Sequence, residues 1–128
     1  MPEPDLHVVD ERILAELMAS TGDDIGFVRE LIQTYLADTP VQFEAMSVAV
    51  DATDAAGLVR PAHTLKSSSA TVGAMRLSSI ARDLEMAGRS GSLDAAARLG
   101  LDIARAEWQA AADSLNAYLK QRSAGCLR

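Results

Sequence analysis

Between Ile25 and Val50 the apolar residues of this chain keep to one rhythm. Ile25, Val28, Ile32, Tyr35, Phe43, Met46 and Val50, with Thr39 among them, recur at spacings of three and four. A helix gathers such positions onto one stripe, whereas a strand would scatter them over both faces. Pro40 falls in the middle of the series. Proline removes one helical hydrogen bond and usually kinks the helix that carries it. The stripe nevertheless keeps its phase across Pro40, which predicts one long kinked helix from Asp23 to about Asp51. Two helices broken at Thr39 are the alternative.

The same reading extends to both ends. Asp10 is a candidate N-cap, and Val9 with Leu14 fits a hydrophobic staple. Ile13, Leu14, Leu17 and Met18 form the apolar face of a short first helix, ended by Thr21-Gly22. Asp54 is a plausible cap for a third helix with Leu58, Ala62, Leu65, Ser69 and Val72 as its core stripe. Pro61 admits two readings, a kink or a shorter helix that begins near Arg60 with proline in its first turn; the kinked helix is the expectation. Gly73 suits the C′ position beyond that helix. A fourth helix is expected from about Ala74 to Ala87, with Leu77, Ile80, Ala81 and Leu84 inward and Gly88 to Ser92 as the following turn. The last runs from about Leu93 to Arg122, where Leu101, Ala104, Trp108, Ala111, Leu115 and Tyr118 make a bundle seam.

No segment alternates as a strand would, and aromatics are only 4% of the residues, which favours helix over sheet. The connections are short, so sequential helices should be antiparallel neighbours. The expected fold is therefore all-α: an antiparallel up-and-down four-helix bundle with a short additional N-terminal helix. A chain of 128 residues fits one such domain, expected over residues 10–122, with a flexible leader at 1–9 and a flexible tail at 123–128.

Charge and motifs exclude several function classes. The net charge is −6, without the basic footprint of a nucleic-acid or anionic-membrane binder. No apolar run approaches the ~20 residues that span a bilayer. The start Met1-Pro2-Glu3-Pro4-Asp5 lacks the basic and apolar regions of a signal peptide, so a cytoplasmic location is expected. The single cysteine, Cys126, permits neither an internal disulfide nor a cysteine metal cluster, and reads as a free thiol in the tail. No glycine-rich nucleotide motif is present, so the chain is not itself an ATP-dependent kinase. Neither histidine has a glutamate three residues before it, which argues against a di-iron bundle.

One patch does suggest chemistry. His63, Lys66 and Ser67 lie at i, i+3 and i+4 and so share a helix face, with Ser68, Ser69 and Ala70 leaving it little covered. A nucleophilic imidazole beside an ammonium group suits phosphoryl acceptance. Taken alone, a histidine and a lysine at this spacing also occur on ordinary helix surfaces. The other histidine, His7, sits in the leader without a lysine at helical spacing.

The segment continues through Gly73, Ala74, Leu77, Leu84, Glu85 and Arg89. From Ala62 to Arg89 it resembles the signature of histidine-containing phosphotransfer (HPt) domains, in which A-H-x-L-K-G-S-S is followed by G-A-x-x-L and then L-E. Ala62, His63, Leu65, Lys66, Ser68, Ser69, Gly73, Ala74, Leu77, Leu84 and Glu85 fall in register. The family usually has glycine directly after the lysine, where this chain has Ser67. The resemblance implies a four-helix bundle and a phosphorelay role. His63 would take a phosphoryl group from the aspartate of a receiver domain and pass it to another receiver. Lys66 would neutralise phosphoryl charge, and Glu85 and Arg89 would help orient the imidazole or the phosphate. Without that role, Glu85 and Arg89 form a surface ion pair worth ~0.3–0.5 kcal/mol. The implied partners are response-regulator receivers, including those carried by hybrid sensor kinases. No nucleic acid, membrane, cofactor or metal is expected at the carrier, because Mg²⁺ and the acidic pocket belong to the receiver. The resemblance implies a phosphoryl carrier, expected as a monomer, rather than an autonomous kinase. The competing reading is a bundle that docks receiver or kinase domains without transfer.

Overall fold

The structure, a computed structural model, describes residues 8–126, with side chains through Arg122. His7 and most of the expected leader lie outside the described residues, as does the side chain of Cys126. Among the described residues five helices follow one another: α1 (Glu11–Ser20), α2 (Ile25–Asp51), α3 (Ala55–Thr71), α4 (Met75–Ser90) and α5 (Ala95–Cys126). α3 packs most extensively on α4; α2 packs on α3, α4 on α5, and α5 back on α2. That closes a four-helix ring with α1 laid against α2.

The helix starts follow the aspartates. Asp10, Asp24 and Asp54 accept from the amides of Arg12, Phe27 and Gly57, each at 3.0 Å, so each satisfies an otherwise orphaned first-turn donor. α2 is one continuous helix through Pro40. Val28, Ile32, Tyr35, Thr39, Phe43, Met46 and Val50 are all buried, and Ile25 is half-buried. α3 likewise runs unbroken through Pro61, whose ring is buried, so the start near Arg60 is not used. The hydroxyls of Tyr35 and Ser69 lie 2.7 Å apart and join α2 to α3 inside the core. Burial pushes the Tyr35 phenol up to about 12, against the lowering effect of its Ser69 and Thr39 neighbours. Trp108 of α5 meets the Tyr35 ring edge-on at a centroid distance of 5.4 Å, a favoured aromatic arrangement.

Gly73 ends α3. Its φ of 86° is the left-handed conformation glycine adopts without steric cost. The Ala74 amide reaches Ser69 O at 2.8 Å and the Gly73 amide reaches Ala70 O at 3.2 Å, the paired bonds of a Schellman cap. The Asp10 amide donates to Gly73 O at 2.8 Å, so the start of α1 is tied to the α3–α4 turn.

Three expected helix boundaries shift. Gly88 belongs to α4 rather than to the following turn, because α4 continues to Ser90. α4 crosses α3 so closely there that a Cβ on Gly88 would stand 2.9 Å from both Ala55 O and Val59 Cγ2. α5 begins at Ala95, its first turn capped by Asp94 Oδ1 at 3.1 Å from the Ala97 amide, while Leu93 packs on the core outside the helix. Its backbone stays helical to Cys126, four residues into the span expected as a flexible tail. Gly88→Ala follows directly as a test of the crossing. Alanine favours a helix by about 1 kcal/mol over glycine, but overpacking against a fixed backbone carbonyl costs about 1–3 kcal/mol. The variant is expected to be destabilised by about 1 kcal/mol in urea denaturation.

Candidate functional site

The close α3–α4 crossing brings a basic stripe of one helix onto a carboxylate of the other. Core contacts of Leu58, Ala62 and Leu65 fix the rotation of α3, so His63 emerges at the bundle surface with its side chain 54% exposed. Ser78 of α4 donates to Lys66 O at 2.8 Å and clamps the two helices beside it. Glu85 then lies under the imidazole, its side chain only 6% exposed.

Three cationic or potentially cationic groups converge on that carboxylate. His63 Nδ1 stands 3.1 Å from Glu85 Oε2. Lys66 Nζ forms an ion pair with Oε1 at 2.9 Å. Arg89 donates through Nη2 at 2.7 Å and Nε at 3.1 Å to Oε2. Lys66 above all, then Arg89, hold the carboxyl down at about 2, against burial, which would raise it; His63 adds a smaller push. Glu85 is therefore ionised near neutrality and can only accept hydrogen bonds. The imidazole nitrogen beside it must donate, so neutral His63 carries its proton on Nδ1 and presents the lone pair of Nε2 to solvent. That is the nitrogen and the state from which an imidazole attacks an electrophile.

All the residues singled out in the sequence converge here except two. Gly73 acts through the end of α3. Ser67 is exposed one turn after His63, and its side chain makes no hydrogen bond with a described residue; its carbonyl accepts from Thr71. The reading of Glu85 and Arg89 as an ordinary surface pair is overturned, because Glu85 is buried and shared among three partners. Sequence reasoning also missed the burial of Ser78. Both positions flank the apolar stripe of α4, and a polar residue there reads as solvated unless the facing helix is known. Among the described residues no cluster could hold a metal ion, and no helix is long and apolar enough to cross a membrane.

An antiparallel helical bundle that displays an exposed histidine, held by a buried carboxylate among cations, has the architecture of a histidine phosphocarrier. The Hpt domain family model matches residues 30–120, more than half of the chain, and the chain belongs to that family. The crystal structure of histidine-containing phosphotransfer protein B (HptB) from Pseudomonas aeruginosa PAO1 is similar, with a TM-score of 0.79 and 25% sequence identity. The match covers 88% of this chain and 95% of that one. No curated protein matches the chain. The protein is thus a histidine phosphocarrier of a two-component phosphorelay, a class that exchanges phosphate with receiver domains.

Proposed function

We propose that His63 is the phosphoacceptor and that it reacts through Nε2. The observation that carries this reading is the Glu85 carboxylate at His63 Nδ1. The Nε2 lone pair attacks the phosphorus of a receiver's aspartyl phosphate. The N–P bond forms as the acyl P–O bond breaks, and the electron pair leaves with the receiver carboxylate. The proton stays on Nδ1, where Glu85 balances the charge that the ring acquires. The reverse sequence returns the phosphoryl group to a second receiver. Such transfers depend on positioning and electrostatics.

Lys66 and Arg89 place positive charge at the site, and Arg60 lies one turn before His63 on α3. In a chain of net charge −6, this face suits the acidic, metal-binding pocket of a receiver. In this reading the protein works as a cytoplasmic monomer, and its partners include receivers of hybrid sensor kinases. The test is phosphoryl transfer from a panel of phosphorylated receiver domains. Acid-labile, alkali-stable label on the protein is expected. Binding without label would instead indicate a docking module.

Ser67 bears on the rate. Its exposed side chain stands where relatives usually have glycine, on the route of an incoming receiver. Ser67→Gly should raise the transfer rate from a given receiver by about twofold or more, a fraction of a kcal/mol in the barrier. An unchanged rate would show that Ser67 does not limit access.

A further inference from the structure

The cations at the site are unevenly committed. Lys66 and Arg89 are bound to Glu85, on the Nδ1 side of the imidazole. The two ring nitrogens point to nearly opposite sides of the ring, so a phosphoryl group on Nε2 extends away from Glu85 and from α4. On that side α3 presents Arg60, Thr64 and Ser67, all exposed. Arg60 is three residues before His63, hence a neighbour on the same helix face. It makes no hydrogen bond, ion pair or ring contact with any described residue. The arginines that stabilise the fold behave otherwise: Arg76 pairs with Glu107, Arg98 with Asp51, and Arg105 lies over Phe43.

We infer that Arg60 is the phosphoryl-binding cation of the Nε2 side. Its guanidinium receives the non-bridging oxygens of the phosphoryl group as the N–P bond forms, and it stays on them in the phosphohistidine. Five donors in a planar fork suit phosphate oxygens. Because no described residue holds Arg60 by a hydrogen bond or ion pair, swinging onto the phosphoryl group breaks none of those bonds. Lys66 and Arg89 would have to leave a buried carboxylate to do the same. The division of labour is then explicit: Lys66 and Arg89 keep Glu85 ionised so that Glu85 can hold the Nδ1 proton, while Arg60 meets the anion.

This inference rests on His63 being the acceptor, and its test needs no receiver. Phosphoramidate, a small phosphoryl donor, labels an accessible histidine as its P–N bond breaks and protonated nitrogen leaves as ammonia. The wild type, Arg60→Ala, Arg60→Lys and Arg82→Ala are compared for labelling rate and for the half-life of the phosphohistidine. Arg82 is an equally uncommitted exposed arginine, but on α4, so its removal matches the change in net charge. Arg60→Ala should label about fivefold more slowly, the scale of one partly exposed charge contact, and its phosphohistidine half-life should change by a similar factor. Arg60→Lys should restore most of the rate, Arg82→Ala should match the wild type, and the melting temperature of Arg60→Ala should be unchanged. Equal rates and half-lives for Arg60→Ala and the wild type would overturn the assignment, as would an equal loss in Arg82→Ala. A wild type labelled at His63 by phosphoramidate but by no receiver would contradict the relay reading alone. A wild type that takes no label at His63 would contradict both.

Discussion

His63→Gln takes no label from any phosphorylated receiver and keeps the fold. Glutamine has no atom that can form the N–P bond, so the loss is complete rather than graded. The fold survives because the His63 side chain is largely exposed and belongs to none of the core contacts. Its side-chain bond to Glu85 is one of several to that carboxylate, and a glutamine amide can donate in its place. The change in stability should stay within about 0.5 kcal/mol, as for surface substitutions elsewhere. Label measured beside a denaturation curve separates the two effects. A variant that lost label because it unfolded would show it in the curve. Residual alkali-stable label would place the acceptor elsewhere.

Glu85→Ala should slow transfer more than any other substitution that leaves His63 in place. It removes the acceptor that keeps the proton on Nδ1, so the reactive tautomer and the ring orientation are no longer fixed. Comparable carboxylate–histidine pairs are worth about 10- to 100-fold where the free ring nitrogen binds a metal, and a loss on that scale is expected in the transfer rate. Lys66 and Arg89 lose their partner but lie near enough to water to be solvated, since their side chains are 31% and 62% exposed. The variant should therefore fold, with the loss in the chemistry. A rate near that of the wild type would show that the Nδ1 contact does not organise the reaction.

The same residue gives a signature in pH. Glu85 titrates at about 2 in the folded protein, below its ordinary 4.5. On acidification the unfolded chain takes up this proton first. The stabilisation is thus complete above about 4.5 and is lost as the pH falls toward about 2. Denaturation midpoints compared between the wild type and Glu85→Ala should converge across that window. A constant difference would mean that the carboxylate is not held by its cations.

Much of this was legible in the chain. The stripe from Val28 to Val50 and the seam from Leu101 to Tyr118 depend on helical period alone, and both are formed. The prolines were the harder points. Whether Pro40 and Pro61 break their helices depends on packing from neighbours, which local sequence does not contain. Gly88 failed for the same reason: beside Gly91 it reads as turn, and only the approach of α3 explains a glycine inside α4. At the site, His63 and Lys66 stood out through local spacing. The convergence of Lys66, Arg89 and His63 on Glu85 spans two helices, and no spacing rule within one helix can reveal a contact between residues 22 positions apart. The family resemblance marked Glu85, but its burial and its three partners emerged only from the packing of α4 on α3.

The most direct test is the nuclear magnetic resonance of the imidazole nitrogens in ¹⁵N-labelled protein, before and after phosphorylation by a receiver. In the neutral form of the His63 ring the proton is expected on Nδ1, facing Glu85, and phosphorylation should bring phosphorus coupling to Nε2. A neutral ring protonated on Nε2 alone, or phosphorus on Nδ1, would contradict that assignment.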